Sequence, residues 1–280
     1  MIFVRSLAAI SVILGATGCT PPESRLAPSG LEPLRMSTTA GAPLAAKISY
    51  VRSSSPGDVE VIWVHGTPGD AQGWTDYVLE PIAGTVSVAL DRPGFGQSGP
   101  EGAVTSLERQ GAAVAALFPP PPQKVVLVGH SLGGAVVAFV AARYPDRVRA
   151  IVLLASALDP AQESIHPMQY VGKMWPVSSM LPRTLRNANE ELMGFKAELL
   201  ALQPLLPSIT APTIIVHGTK DDLVPFANVA YMQSNLTAVR CLKTVVLEGQ
   251  NHFLPWNSES TVREAVNWAV TQSGNEAQGC

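Results

Sequence analysis

The sequence predicts an α/β fold: a mostly parallel central sheet with helices on both faces and a small helical lid inserted late in the chain. Three observations lead there. Short apolar runs recur at residues 59–64, 86–90, 125–128, 151–154, 213–216 and 244–247, and stretches with helical spacing separate them. That alternation is the order that builds parallel strands with crossover helices. The runs are mostly apolar, with Glu60 and Ser87 the internal exceptions, rather than alternating with polar residues along their length, as expected of strands buried on both sides.

Length and composition agree with one sizeable domain. A chain of 280 residues with 46% hydrophobic residues can bury a large core, and a single domain with an insertion accounts for it better than two independent domains. The formal net charge is -3 and the basic residues are scattered, so no nucleic-acid surface is expected.

The amino-terminal segment reads as a targeting signal. Arg5 precedes an apolar run over residues 7–14, followed by Gly15-Ala16-Thr17-Gly18-Cys19. The run is short for a membrane span and suits the apolar region of a signal peptide. The small residues before Cys19 resemble a bacterial lipobox, with Ala16 where leucine is usual. The resemblance implies a signal peptide over residues 1–18, lipidation of Cys19, and export to the bacterial cell envelope with a membrane anchor. Ordinary cleavage nearby and an uncleaved anchor are the competing readings. Residues 19–33, rich in Pro, Ser and Gly, read as a tether, and residues 34–280 as the folded domain. An exported chain permits a disulfide between Cys241 and Cys280; the sequence leaves their pairing open.

Along the domain, residues 34–37 and 47–51 read as first strands around a turn at Gly41. The strand at 59–64 runs into His65-Gly66-Thr67-Pro68-Gly69, with a helix expected over 74–82. The strand at 86–90 runs into Asp91-Arg92-Pro93-Gly94-Phe95-Gly96. Thr105-Ser106-Leu107-Glu108 has capping-box spacing before a helix over 109–118, and four prolines at 119–122 separate that helix from the next strand. Residues 160–207 interrupt the alternation. An excursion of that length carries its own structure or a function, and a helix over 191–203, capped near Asn187 to Glu190, marks it as the lid. Residues 226–235 and a final amphipathic stretch from Thr261 to Val270 read as helices.

The residues that carry chemistry centre on Gly129-His130-Ser131-Leu132-Gly133. An apolar strand enters and a helix leaves, which is the strand–turn–helix setting of a G-x-S-x-G nucleophile elbow. The turn strains the serine and leaves no room for side chains at the flanking glycines. It exposes the hydroxyl at the carboxyl edge of the sheet, where the Leu132 amide can face a developing oxyanion.

A serine nucleophile needs a base, and the base an orienting acid. The chain has five histidines. His130 lies within the elbow, pointing away from the serine, and His65 and His217 end strands; all three read as structural, and His166 falls in the lid. His252, in Gly249-Gln250-Asn251-His252-Phe253 beyond the last strand, is the expected base. For the acid, Asp221 in the loop after strand 213–216 is preferred, with Asp222 its rival and Asp159 a more distant one. The order Ser131, Asp221, His252 fits a nucleophile elbow. Thr67, after the first long strand, is the expected second oxyanion donor beside Leu132.

Four blocks in order resemble the α/β-hydrolase superfamily with a serine nucleophile and a helical cap: His65 to Gly69, Asp91 to Gly96, Gly129 to Gly134, and His217-Gly218-Thr219-Lys220-Asp221 with Val224-Pro225, followed by His252. The resemblance spans residues 34–270 and implies an α/β-hydrolase fold. It places the acid three residues after the glycine of the His-Gly block, favouring Asp221 over Asp222. It makes Asp91 and Arg92 scaffold. Relatives cleave esters, lactones, amides, carbon–carbon bonds and halides, and a serine at 131 argues against the dehalogenases and epoxide hydrolases, which use aspartate. The expected activity is hydrolysis of a carboxylic ester of the carboxylesterase or lipase type, with a small-molecule acyl substrate and no metal or organic cofactor. Another acyl bond is the alternative, and a non-catalytic binding protein on the same fold a further one. Lid residues Met168, His166 and Trp175 carry no assignment.

Overall fold

A computed structural model of the protein describes residues 22–272. The predicted signal peptide, Cys19 and Cys280 lie outside the described residues. The centre is an eight-stranded sheet of β1 (Arg35–Ala40), β2 (Ala46–Arg52), β3 (Val59–Val64), β4 (Thr85–Leu90), β5 (Val125–His130), β6 (Val148–Leu154), β7 (Thr213–Gly218) and β8 (Leu242–Leu247). Its spatial order is β1-β2-β4-β3-β5-β6-β7-β8. The β1–β2 and β2–β4 pairs are antiparallel and all later pairs parallel. The carboxyl ends of β3 to β8 therefore open onto one edge, where ligands of such sheets bind.

Period-two side-chain alternation divides the core between the two faces. Ile62, Val64, Val125 and Leu127 join one cluster, and Val61, Trp63, Val126 and Val128 the other. The first face is covered by α2 (Leu107–Ala115), α3 (Leu132–Arg143) and α7 (Ala227–Asn235). The second is covered by α1 (Thr75–Leu79) and α8 (Glu259–Thr271), with Trp63, Trp74 and Tyr77 packed ring to ring. Helix α3 is apolar nearly all round because almost every residue in it is buried. Strand β8 departs from the expectation of burial on both sides: it is the sheet edge, and its residues are partly or fully exposed.

The insertion between β6 and β7 folds as α4 (Pro167–Lys173), α5 (Val177–Met180) and α6 (Arg183–Leu202), closing with a 3-10 turn over Gln203–Ser208. Helix α6 docks through Leu185, Phe195, Leu199 and Leu202. Tyr170, Met174, Trp175 and Met180, on the two short helices and their link, are exposed.

Four local expectations are corrected. The tether does not extend to residue 33. The Arg25 and Leu26 amides donate to the Asp76 carboxylate at 2.9 and 2.7 Å, and Pro28–Leu34 forms a 3-10 helix that buries Leu31 completely. The helix expected over 74–82 is the five-residue α1, preceded by a 3-10 turn at Ala71–Trp74. Ser106, not Thr105, caps α2. Asn187 and Asn189 lie inside α6 rather than at its start. Their side-chain amides reach the carbonyls of Gly94 and Gln169, so tertiary partners replace the cap.

Candidate active site

Ser131 stands between β5 and α3 at φ 56° and ψ −128°. A non-glycine residue there is strained, and its neighbours over-determine it. The Ser131 amide donates to Leu154 O on β6 at 3.0 Å, and its carbonyl accepts from the Gly134 amide at 2.9 Å. A Cβ on Gly129 would approach Gly133 O within 2.5 Å, and one on Gly133 would collide with the Val64 and His65 carbonyls. The glycines thus let the strand, the helix and the neighbouring β3 loop converge on the serine. Leu132 opens α3, so its amide is among those with no partner within the helix.

Asp221 and His252 come together from the loops after β7 and β8. His252 Nδ1 donates to Asp221 Oδ2 at 2.8 Å, and both side chains are buried. Asp221 Oδ1 accepts from the Leu223 and Val224 amides at 3.0 and 2.8 Å. Burial pushes the Asp221 carboxyl upward, but the His252 hydrogen bond and charge and the Val224 amide outweigh it and hold it below its ordinary range. The carboxylate is therefore ionised, fixed on one oxygen and engaged with the imidazole on the other. Ser131 Oγ makes no hydrogen bond among the described residues. The His252 loop is nonetheless tied to the elbow: His130 Nε2 lies 2.9 Å from His252 O, and the two rings are 4.7 Å apart.

The rival residues have other settings. Asp222 is exposed. Asp159 accepts from the Ala161 amide and the Gln162 side chain, closing its own turn. His130 is buried and held neutral, its pKa lowered to about 3 by burial first and by the nearby His252 second. His217 is lowered chiefly by burial and donates to Val224 O at 3.0 Å. His166 caps α4.

The β3 loop runs beside the serine. A Cβ added to Gly66 would lie 2.8 Å from Ser131 Cβ and 3.3 Å from its Oγ. Thr67 follows, and its Oγ1 is shielded from solvent with no hydrogen-bond partner. Asp91 anchors the scaffold below, accepting from the Ala71 and Gln97 amides and from Arg35. Arg92 is completely buried and paired with Glu191 of α6. Sequence reasoning missed Glu191. It falls one turn before Phe195 and two before Leu199, a carboxylate within an apolar helical stripe, and that was the available signal.

A cavity of about 400 Å³ opens elsewhere, among Tyr50, Arg52, Glu60, Val86 and Lys124. It lies at the amino ends of β3 and β4, the opposite edge from Ser131. Among the described residues, no group of three or more His, Cys, Asp or Glu is placed to hold a metal, and no helix is long and apolar enough to cross a membrane.

Comparison with known proteins agrees with this architecture. A family model described as the alpha/beta hydrolase fold matches residues 60–178. The chain is 36% identical over 111 residues to the dihydrolipoyllysine-residue acetyltransferase component of the acetoin cleaving system of Cupriavidus necator, covering 39% of this chain and 29% of that protein. It is 42% identical over 102 residues to the pimeloyl-[acyl-carrier protein] methyl ester esterase of Klebsiella pneumoniae, covering 36% of this chain and 38% of the relative. The chain thus spans well under half the length of these two relatives. Among solved structures, a bacterial membrane phospholipase A superposes with a TM-score of 0.64 at 21% identity, covering 96% of both chains.

Proposed function

We infer that this chain, which carries the α/β-hydrolase fold, hydrolyses a carboxylic ester of a small-molecule substrate through an acyl-enzyme. Ser131 Oγ attacks the carbonyl carbon. His252 Nε2 takes the serine proton and delivers it to the leaving alkoxide. Asp221 holds the ring with Nδ1 protonated, leaving Nε2 free as the base, and stabilises the imidazolium that forms. The Leu132 and Thr67 amides receive the oxyanion, each worth on the order of 3 kcal/mol in the transition state. Water activated by His252 then releases the acid. The reaction needs no metal or organic cofactor.

The observation that carries this reading is the 2.8 Å bond between His252 and Asp221 on the sheet edge that presents the strained serine. The esterase name of one relative supports an ester over another acyl bond. Lactones, amides and carbon–carbon bonds would use the same groups, and a non-catalytic chain would have no use for a histidine oriented by a buried carboxylate on the sheet edge that carries a strained serine. The test is a fluorophosphonate probe with a panel of p-nitrophenyl esters of increasing chain length. The probe is expected to label wild type and not Ser131→Ala, and the panel to be turned over. Folded wild-type protein that neither reacts nor turns over any ester would refute the reading.

We further propose that the chain is exported to the bacterial envelope and lipidated at Cys19. The apolar run and the small residues before Cys19 support this, as does the disulfide at Cys241, a bond that persists in oxidising compartments. Its partner lies outside the described residues. Palmitate labelling that is unchanged in Cys19→Ser would overturn the anchor.

A further inference from the structure

Arg92 and His65 converge on one backbone carbonyl. Arg92 Nη2 donates to Gly66 O at 2.9 Å, and His65 Nδ1 lies 2.7 Å from the same oxygen. The Arg92 amide donates to His65 Nε2 at 2.9 Å. That bond makes Nε2 the acceptor, so the proton of the neutral ring sits on Nδ1 and is donated to Gly66 O. Burial first, and the Arg92 charge second, hold the His65 pKa well below its ordinary value. Arg92 Nε also donates to His65 O at 2.8 Å. Both lone pairs of the Gly66 carbonyl are thereby engaged.

The Gly66 carbonyl and the Thr67 amide belong to the same planar peptide unit. In a trans unit C=O and N–H point in opposite directions. Two donors pulling the carbonyl inward therefore aim the Thr67 N–H outward, and Gly66 lies against Ser131. Donation to the carbonyl also polarises the peptide, making its N–H a better donor.

Arg92 is itself held from the lid. Glu191 of α6 accepts from Nη1 at 2.5 Å and from Nη2 at 3.0 Å, and Gln110 Nε2 donates to the same carboxylate at 2.9 Å. Arg92 is fully buried and Glu191 2% exposed. A buried guanidinium requires such a counter-charge.

We propose that Arg92 and His65 are positioning residues that orient the Thr67 amide toward the developing oxyanion, and that Glu191 makes the lid helix part of that device. This rests on the reading of Thr67 as an oxyanion donor. It gives the inserted helix α6 a role in transition-state stabilisation.

The test compares Arg92→Lys, His65→Leu and His65→Asn with wild type. Arg92→Lys keeps the charge opposite Glu191 but loses the planar fork that reaches Gly66 O. Substrate kinetics are measured beside the affinity of a trifluoromethyl ketone, which forms an oxyanion on the serine. In Arg92→Lys and His65→Leu, kcat falls about 10–100-fold with KM within about twofold, somewhat less than the loss of a whole donor. Ketone affinity falls in the same proportion as kcat/KM. His65→Asn, which can still donate toward Gly66 O, recovers much of what His65→Leu loses. Folded variants with unchanged kcat and ketone affinity would overturn the proposal, as would losses confined to KM. Where one variant fails to fold, the other position decides. Fluorophosphonate labelling and ester turnover by the wild type separate the two ideas: the absence of both sinks the proposed function, whereas an active wild type with unaltered variants sinks only the positioning role.

Discussion

Asp221 gives His252 one carboxylate oxygen and keeps the other on two backbone amides. Oδ2 meets His252 Nδ1 at 2.8 Å while Oδ1 meets the amides of Leu223 and Val224. The carboxylate cannot rotate without breaking all three bonds. Asp221→Asn is therefore expected to present the wrong hydrogen-bonding group to Nδ1 and lower kcat by roughly 10³–10⁴-fold. Asp222→Asn, at an exposed position, should leave kcat within about twofold. Steady-state kinetics on a p-nitrophenyl ester distinguishes them, and equal losses would contradict the assignment of the acid.

Acid should destabilise the fold well above the carboxylate range. His65, His130 and His217 are each held neutral by burial. An unfolded histidine titrates near ~6.5, so below that pH the unfolded chain binds protons that the folded chain does not. Stability falls, for His130 down to a folded pKa of about 3, with each residue contributing up to about 1.4 kcal/mol per pH unit. Asp221 adds to this at lower pH. Its depressed folded pKa contributes stability above its unfolded value, and that stability is lost as pH falls through the folded one. Urea denaturation between pH 7.5 and 4.5 measures the slope, and His130→Gln should flatten it by about one proton. An unchanged slope would mean that His130 is protonated in the folded state.

Gly66→Ala should impair catalysis more than folding. The new Cβ would press on Ser131 Cβ at 2.8 Å and on His130 O at 3.2 Å, displacing Ser131 or the loop. A misplacement of this order costs about 10²-fold in rate. Slower fluorophosphonate labelling with little change in melting temperature is the expected result. Wild-type labelling kinetics would show that the loop has slack the packing does not suggest.

The Arg92–Glu191 pair separates stability from rate. Glu191→Gln leaves a buried guanidinium without its counter-charge and should cost about 3–5 kcal/mol of unfolding free energy. Arg92→Met combined with Glu191→Leu removes both charges and should recover much of that loss. Its kcat should stay low, because nothing then holds the Gly66 carbonyl except His65. Denaturant titration and kinetics on the same samples check both halves.

Most of the sheet and the meeting of Asp221 with His252 were legible in the sequence because they depend on local signals. Continuous apolar runs mark strands buried on both faces, and the Gly129 to Gly133 pattern marks a turn that only small neighbours permit. What escaped depends on contacts distant in sequence. Asn187 and Asn189 looked like caps because short polar side chains favour helix starts. Inside α6 they bond to the carbonyls of Gly94 and Gln169 instead. Residues 25–33 looked like a tether on composition. Their order comes from Asp76, some 50 residues away, and from a pocket for Leu31 that exists only once the fold has formed. Glu191 was hidden because its partner, Arg92, lies 99 positions earlier.

Ser131 holds a backbone conformation that costs on the order of 1–3 kcal/mol for any residue with a side chain, at φ 56°. Glycine enters such a region freely, so Ser131→Gly should melt at a higher temperature than the natural chain while losing the hydroxyl that the proposed reaction needs. Heat tolerance and chemistry thus pull this position in opposite directions. A directed-evolution campaign that rewards thermal survival alone will enrich chains that have discarded the proposed nucleophile, and an activity gate in every round is what keeps the serine.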